Sequence, residues 1–160
     1  MEGFRWLLSV RPIEWRDVGA ILAIQHASPE VAQWTAHDYA GVTTGVMAGW
    51  VAEEHATVIG FLVARRAAAD LEILNFAVRA DVRRRGLGTS LLRECLAWGK
   101  TFQAERALLE VRASNQAALR FYERRGFRVA GRRVRYYTAP VDDALLLTAE
   151  MAALAGNMQA

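Results

Sequence analysis

LEILNFAVRADVRRRGLG, Leu71 to Gly88, is the stretch of this 160-residue chain from which the rest is best read. Its first eight residues are rich in β-branched and apolar types, the composition of a β-strand. Arg83, Arg84 and Arg85 then run into Gly86-Leu87-Gly88, and Leu91, Leu92, Cys95 and Leu96 follow at helical spacing. A strand, a glycine loop and a helix start, in that order, gather unpaired backbone N–H groups and their partial positive charge at one point. Glycine lets the chain lie close to a ligand, and the arginines add fixed charge. The stretch therefore reads as an anion site for a ligand that carries a diphosphate.

Two common phosphate loops do not fit it. A dinucleotide fingerprint needs a third glycine where Leu91 stands, and a P-loop needs Gly-Lys-Ser/Thr, whereas the single lysine of the chain is Lys100. The pattern Arg83-x-x-Gly86-x-Gly88 resembles the acetyl-CoA pyrophosphate loop of the GNAT N-acetyltransferase superfamily.

A second block is Leu108-Leu109-Glu110-Val111-Arg112-Ala113-Ser114-Asn115, followed by Ala118 to Glu123 and then Gly126-Phe127. Strand alternation sends Leu109 and Val111 one way and Glu110 and Arg112 the other. Taken singly, Glu110 is a solvated-face carboxylate, Asn115 a helix cap and Tyr122 a core aromatic with a polar tip. Leu74-Asn75-x-Ala77-Val78 stands upstream, and Arg135-Tyr136-Tyr137 and Asp142-Asp143-Ala144 stand downstream. Together these blocks resemble the bacterial ribosomal-protein-alanine N-acetyltransferase branch of that superfamily, the RimI type, over about Glu72 to Leu146.

The resemblance implies roles residue by residue. Phe76, Ala77 and Val78 present strand backbone to the acetyl and pantetheine portion of acetyl-CoA. Arg83, Arg84, Arg85, Gly86, Leu87, Gly88 and Thr89 hold the pyrophosphate, and Asn115 also binds the cosubstrate. Glu110 is the proton acceptor and Tyr122 the proton donor, with Glu72 a rival base near the central strand. No metal is implied. The partner is an acceptor protein or peptide N-terminus, with a small-subunit ribosomal protein foremost. Ala80 stands where such proteins often have proline, and the first seventy residues match only loosely, so the acceptor side is the least defined. Trp34, Tyr136 and Tyr137 are candidate acceptor contacts, with core or strand-pair aromatics as the alternative. Asp142 and Asp143 face a basic peptide or simply make a turn.

The chemistry stands on its own terms. A peptide α-amine with a pKa near 8 is mostly protonated at neutral pH, so a base must take a proton before nitrogen attacks a thioester. Glu110 serves directly or through water if partial burial raises its pKa. A strand N–H can stabilise the oxyanion, and a phenol can return a proton to a leaving thiolate. Two other readings stay open: acetylation of a lysine side chain or small amine, and a non-catalytic module that binds coenzyme A or RNA.

Composition bounds these readings. Hydrophobic residues make up 53% of the chain and charged residues 23%, the balance of a globular protein. One N-acetyltransferase domain over 1–151 is expected, with a frayed tail over 152–160. Cys95 alone allows no internal disulfide, and its place in a helix stripe makes it a packed thiol. The apolar run Trp6 to Val10 is too short for a signal peptide or a membrane span, so a cytoplasmic protein is expected. His26, His37 and His55 have no metal-cage spacing and are expected at the surface. From Arg79 to Arg135, fourteen arginines and Lys100 face only five carboxylates, while the remainder is acidic. Solvated helix faces account for that as readily as a polyanion partner does, and nucleic acid is disfavoured by the lack of a binding motif.

The expected order is β-α-α-β-β-β-α-β-α-β-β. That order is an α/β sandwich with a mixed sheet, and the resemblance implies the GNAT-type form of it, α/β with a mostly antiparallel sheet, a splayed central strand pair and helices on both faces. The strands are placed at Leu7–Val10, Gly49–Glu53, Thr57–Ala64, Glu72–Val78, Ala107–Val111, Phe127–Tyr137 and Ala144–Glu150. The helices are placed at Trp15–Gln25, after Thr35, from Gly88 to about Phe102, and from Ser114-Asn115 through Arg125, where Gly126 ends the turn.

Overall fold

A computed structural model describes residues 8–158. Among them run seven strands and five helices in the order β1(Leu8–Pro12), α1(Val18–His26), α2(Ala40–Thr43), β2(Ala48–Glu54), β3(Thr57–Ala67), β4(Asp70–Val78), α3(Leu87–Thr101), β5(Arg106–Arg112), α4(Gln116–Glu123), β6(Arg128–Thr138), β7(Val141–Glu150) and α5(Met151–Asn157). Single 3₁₀ turns at Trp15–Asp17 and Ala80–Val82 precede α1 and the glycine loop. Hydrogen-bonded neighbours follow the order β1-β2-β3-β4-β5-β7-β6. The one parallel pair described joins β4 to β5, and β1–β2, β2–β3, β5–β7 and β6–β7 are antiparallel. The mixed, mostly antiparallel sheet is therefore as expected.

The chain forms two compact units. The first comprises Met1–Arg65 and Leu74–Trp98. Its core gathers Val18, Ile21 and Ile24 of α1 with Tyr39, Val51, Phe61, Val63 and Ala77. The hairpin of β2 and β3 turns on His55 and Ala56, at φ 50° and 61°. Two successive left-handed residues match the right-handed twist of the flanking strands. At the entry to α1, Arg11 grips Asp17 through two hydrogen bonds of 2.8 and 2.9 Å and reaches Glu53 at 3.1 Å.

The second unit comprises Arg66–Ile73 and Gly99–Ala160. Here β4 and β5 pair from Asp70↔Arg106 to Ile73↔Leu109, and β5 pairs with β7 from Arg106↔Glu150 to Arg112↔Ala144. Ala107, Leu109 and Val111 are buried, whereas Leu108, Glu110 and Arg112 are half-buried, which is the expected alternation. Asn115 caps α4 by accepting the Ala118 N–H at 3.1 Å, and Gly126 closes the turn at φ 101°.

Several boundaries differ from expectation. The first strand extends to Pro12, and Leu7 lies outside the described residues. Trp15 begins a 3₁₀ turn, and the α-helix starts only at Val18, because Asp17 accepts the Glu14 N–H and folds back there. The helix after Thr35 is the small-residue segment Ala40–Thr43; Asp38 binds the Thr35 N–H and hydroxyl and keeps the preceding residues in a turn. Strand β3 runs past the expected Ala64 to take in Arg65, Arg66 and Ala67, since the reversal comes only at Ala68, with φ 54°, and Ala69. Helix α4 stops at Glu123, and Val141–Asp143 belong to β7, leaving Ala139-Pro140 as the link.

The tail is the largest correction. Met151–Asn157 is a helix, with Leu154 fully buried and Met151 and Met158 nearly so. Met151, Leu154 and Met158 stand at i, i+3 and i+7, one apolar stripe. The Met151 N–H donates to the Glu105 carbonyl at 3.0 Å, and the Asn157 amide donates to the Arg125 carbonyl at 3.1 Å.

Candidate active site

The first unit carries the candidate anion loop. Val78 ends β4, and the Arg79 N–H donates to the Ile59 carbonyl at 2.8 Å. Arg79 also closes the 3₁₀ turn by holding Asp81 at 2.7 and 2.8 Å. Arg84 at φ 66° and Gly86 at φ 82° then bend the chain twice before α3. The first turn of α3 is marked by the Ser90 N–H donating to the Gly86 carbonyl at 3.0 Å. The amides of Leu87 and Gly88 thus precede the helical ladder, which is the arrangement that receives an anion.

The three arginines are not equivalent. Arg83 donates Nε to the Val78 carbonyl at 3.0 Å and reaches Glu30 at 3.4 Å. Arg85 forms a two-pronged pair with Glu54 at 2.9 and 3.1 Å. The Arg85 guanidinium holds the Glu54 carboxyl below its usual range. Arg84 is exposed and, alone of the three, has no carboxylate partner among the described residues. Sequence reasoning treated the three alike, because their carboxylate partners lie some thirty and fifty residues away.

In the same unit Trp34 is half-buried, its ring 5.1 Å from that of Tyr39 and packed on the core. Asn75, buried on β4, donates to the Tyr39 hydroxyl and to the Ala32 carbonyl, each at 3.0 Å. Neither Tyr39 nor Gln25, which accepts the Tyr39 hydroxyl at 2.6 Å, stood out in the sequence.

The second unit carries the proton-transfer candidates. Glu110 is half-buried and its carboxylate meets Arg133 Nε at 2.9 Å. Tyr137 lies beneath Arg112, whose guanidinium carbon is 4.2 Å from the ring centroid. Burial pushes the Tyr137 phenol up, and the Glu110 charge adds to that. Tyr136, half exposed, meets Tyr137 edge-on at 5.2 Å. The unit therefore brings Glu110, Arg133, Arg112, Tyr136 and Tyr137 together. Arg112 was legible from its phase with Glu110; Arg133 was not, because β6 is bulged between Arg133 and Tyr137.

Tyr122 is buried in the last turn of α4, edge-on to Phe121 and to Phe127 at 5.2 Å each. Asn115, at the other end of that helix, already uses its side-chain oxygen as a cap. Glu72 is half-buried on β4, opposite Leu108 of β5. Asp142 and Asp143 are committed within the fold. Asp142 accepts the Ser114 hydroxyl at 2.6 Å and N–H at 3.2 Å, which holds its carboxyl low. Asp143 binds Arg132 and accepts the Arg135 N–H at 2.8 Å, fixing Arg135 at φ 51°. Asp143 braces the β6–β7 hairpin, and Asp142 ties that hairpin to Ser114. Cys95 is fully buried, and burial pushes its thiol up, as a packed thiol requires.

The acetyltransferase (GNAT) family matches residues 8–127, and the chain belongs to that family. An N-alpha-acetyltransferase of Sulfurisphaera tokodaii is 36% identical over 80 residues, 49% of this chain and 47% of that protein. The ribosomal protein bS18-alanine N-acetyltransferase of Escherichia coli K12 is 28% identical over 144 residues, 87% of this chain and 95% of that protein. The chain spans about half the length of the first curated relatives it matches. The crystal structure of the ribosomal-protein-S18-alanine N-acetyltransferase from Escherichia coli superposes with a TM-score of 0.79 at 25% identity, over 91% of this chain and 94% of that one. Among the described residues no helix is long and apolar enough to cross a membrane.

Proposed function

We propose that this protein transfers the acetyl group of acetyl-CoA to the N-terminal α-amine of a protein, with a ribosomal protein as the foremost acceptor. The observation that carries the reading is the loop from Val78 to α3, where Arg84 and Gly86 both adopt left-handed backbone ahead of unladdered helix amides. Such a loop is shaped for the pyrophosphate of a nucleotide thioester, and the backbone of Phe76, Ala77 and Val78 leads into it. Acetyl-CoA, when bound, supplies the activated acetyl group.

The chain's own residues do the rest. Leu87, Gly88 and Thr89 offer amides, Arg84 offers its free charge, and Asn115 contributes a second polar contact. Glu110 accepts the proton of the acceptor amine, directly or through a water. Because Arg133 already holds its carboxylate, that guanidinium shifts as the amine arrives. Tyr122 donates a proton to the departing thiolate, and solvent restores it. Glu72 is the alternative base. Trp34, Tyr136 and Tyr137 border the acceptor, and the acetyltransferase domain is taken to include α5. The name of the Escherichia coli relative is what suggests an alanine N-terminus of a ribosomal protein.

The test is transfer to paired synthetic peptides with free and blocked N-termini. Acetylation of the free peptide alone supports the reading. Equal acetylation of a lysine side chain in the blocked peptide refutes the α-amine assignment, and no transfer to any amine refutes the enzyme.

A further inference from the structure

The first unit contains a buried chain of polar side chains that the roles above leave unused. Asn75, Tyr39 and Gln25 are 4%, 0% and 1% exposed. The Asn75 amide donates to the Tyr39 hydroxyl at 3.0 Å, and that hydroxyl donates to Gln25 Oε1 at 2.6 Å. The Gln25 amide donates in turn to the Trp34 carbonyl, while the second Asn75 N–H donates to the Ala32 carbonyl at 3.0 Å. Asn75 Oδ1 accepts the Phe76 N–H at 3.1 Å. Gln33 ties the same segment to the end of α1, donating to the carbonyls of Gln25 at 2.8 Å and Ser28 at 3.2 Å.

Both Asn75 donors are therefore used, and its acceptor holds the next amide on β4. Buried polar groups are costly unless paired, so a chain in which every member is paired has one low-energy arrangement. That arrangement locks two backbone segments to each other: Ala32 to Trp34, in the connection between α1 and α2, and Asn75-Phe76 on β4. Apolar residues of similar volume would fill the same space without fixing either segment.

We propose that Asn75, Tyr39 and Gln25 are positioning residues that set the acceptor-side segment Ala32–Trp34 against the strand amide at Phe76. The inference rests on the reading of Phe76 and Trp34 given above and adds a determinant of acceptor binding. A substrate held by the Trp34 segment is then placed by a hydrogen-bond chain that touches neither reactant. Small displacements of that kind cost rate or affinity far beyond their size.

Tyr39→Phe removes one hydroxyl and keeps the ring. Kinetics with a peptide bearing an N-terminal alanine, together with hydrogen exchange on the full chain, read the result. Tyr39→Phe raises the KM for peptide about fivefold or more and leaves kcat and the KM for acetyl-CoA within about twofold. Exchange quickens over residues 28–39 and not in α3. Asn75→Ala adds a fall in kcat, because the Phe76 N–H loses its holder, and the double variant is no worse in peptide KM than Asn75→Ala alone. An unchanged peptide KM with unchanged exchange over 28–39 overturns the proposal, as does exchange that quickens evenly across the chain. Should the wild-type protein acetylate no peptide, the functional reading fails, and the exchange pattern still decides whether the chain positions that segment.

Discussion

Glu110 and Arg133 are joined at 2.9 Å although their strands are not neighbours: β7 runs between β5 and β6, with Leu146 opposite Glu110 and Gly131. The two side chains together thus bridge two inter-strand spacings, roughly 9–10 Å. A partly exposed pair of this kind adds at most about 1 kcal/mol to stability. Its effect is to hold Glu110 in one orientation. Glu110→Gln is expected to lower kcat/KM about a hundredfold or more, with acetyl-CoA affinity unchanged. Arg133→Ala is expected to lower it only severalfold, with a melting temperature close to wild type. Steady-state kinetics and calorimetric titration check both.

The arginine loop makes a sharper demand. Arg84→Ala is expected to weaken acetyl-CoA binding about tenfold at low salt, and less as salt rises. Arg85→Ala is expected to have the smaller effect, because Glu54 already pairs with that charge. Equal losses from the two would show that ligand recruits Arg85 away from Glu54. Titration calorimetry at two salt concentrations separates these outcomes.

Gly86→Ala probes backbone alone. A Cβ there meets no atom within 4 Å, but φ is 82°. The expected cost is about 1 kcal/mol of stability, with a parallel loss of acetyl-CoA affinity, since the left-handed bend is what aims the amides. Chemical denaturation and titration of the same preparation measure the two effects.

Acid sensitivity follows from Asp17. Burial by itself raises its pKa, but the hydrogen bonds from Arg11 and the Glu14 N–H overcome that, and the folded value lies below the ordinary one. Its contribution is complete above the unfolded value near 3.9 and is lost as pH falls through the folded value. Asp17→Asn is expected to be less stable at pH 7 by about 1–2 kcal/mol, because Arg11 loses one of its two carboxylate partners and keeps Glu53. Near pH 2 to 3 the gap to wild type narrows. Denaturant melts at pH 7 and pH 3 test the sign.

These expectations show which levels of the molecule were readable in the residues. Leu71 to Gly88 declared strand, loop and helix because each is specified locally, by β-branched types, by glycine and by a 3.6-residue stripe. Asn115 and Gly126 were legible for the same reason, as cap and stop. The pairing of Arg85 with Glu54 and the chain from Asn75 to Gln25 were not, since they join residues far apart in sequence and leave no periodic trace. Helix α5 was missed for a third reason. Its stripe of Met151, Leu154 and Met158 is short, and its burial depends on tertiary partners such as the Glu105 carbonyl.

Mass analysis of an alanine-initiated peptide after incubation with acetyl-CoA tests the central claim most directly, with wild-type protein and Glu110→Gln side by side. The account requires one acetyl group on the free α-amine with wild-type protein, none on the blocked peptide, and a product rate at least about a hundredfold lower with the variant. Wild-type protein that leaves the free peptide unmodified, or a Glu110→Gln variant that acetylates it at the wild-type rate, would contradict it.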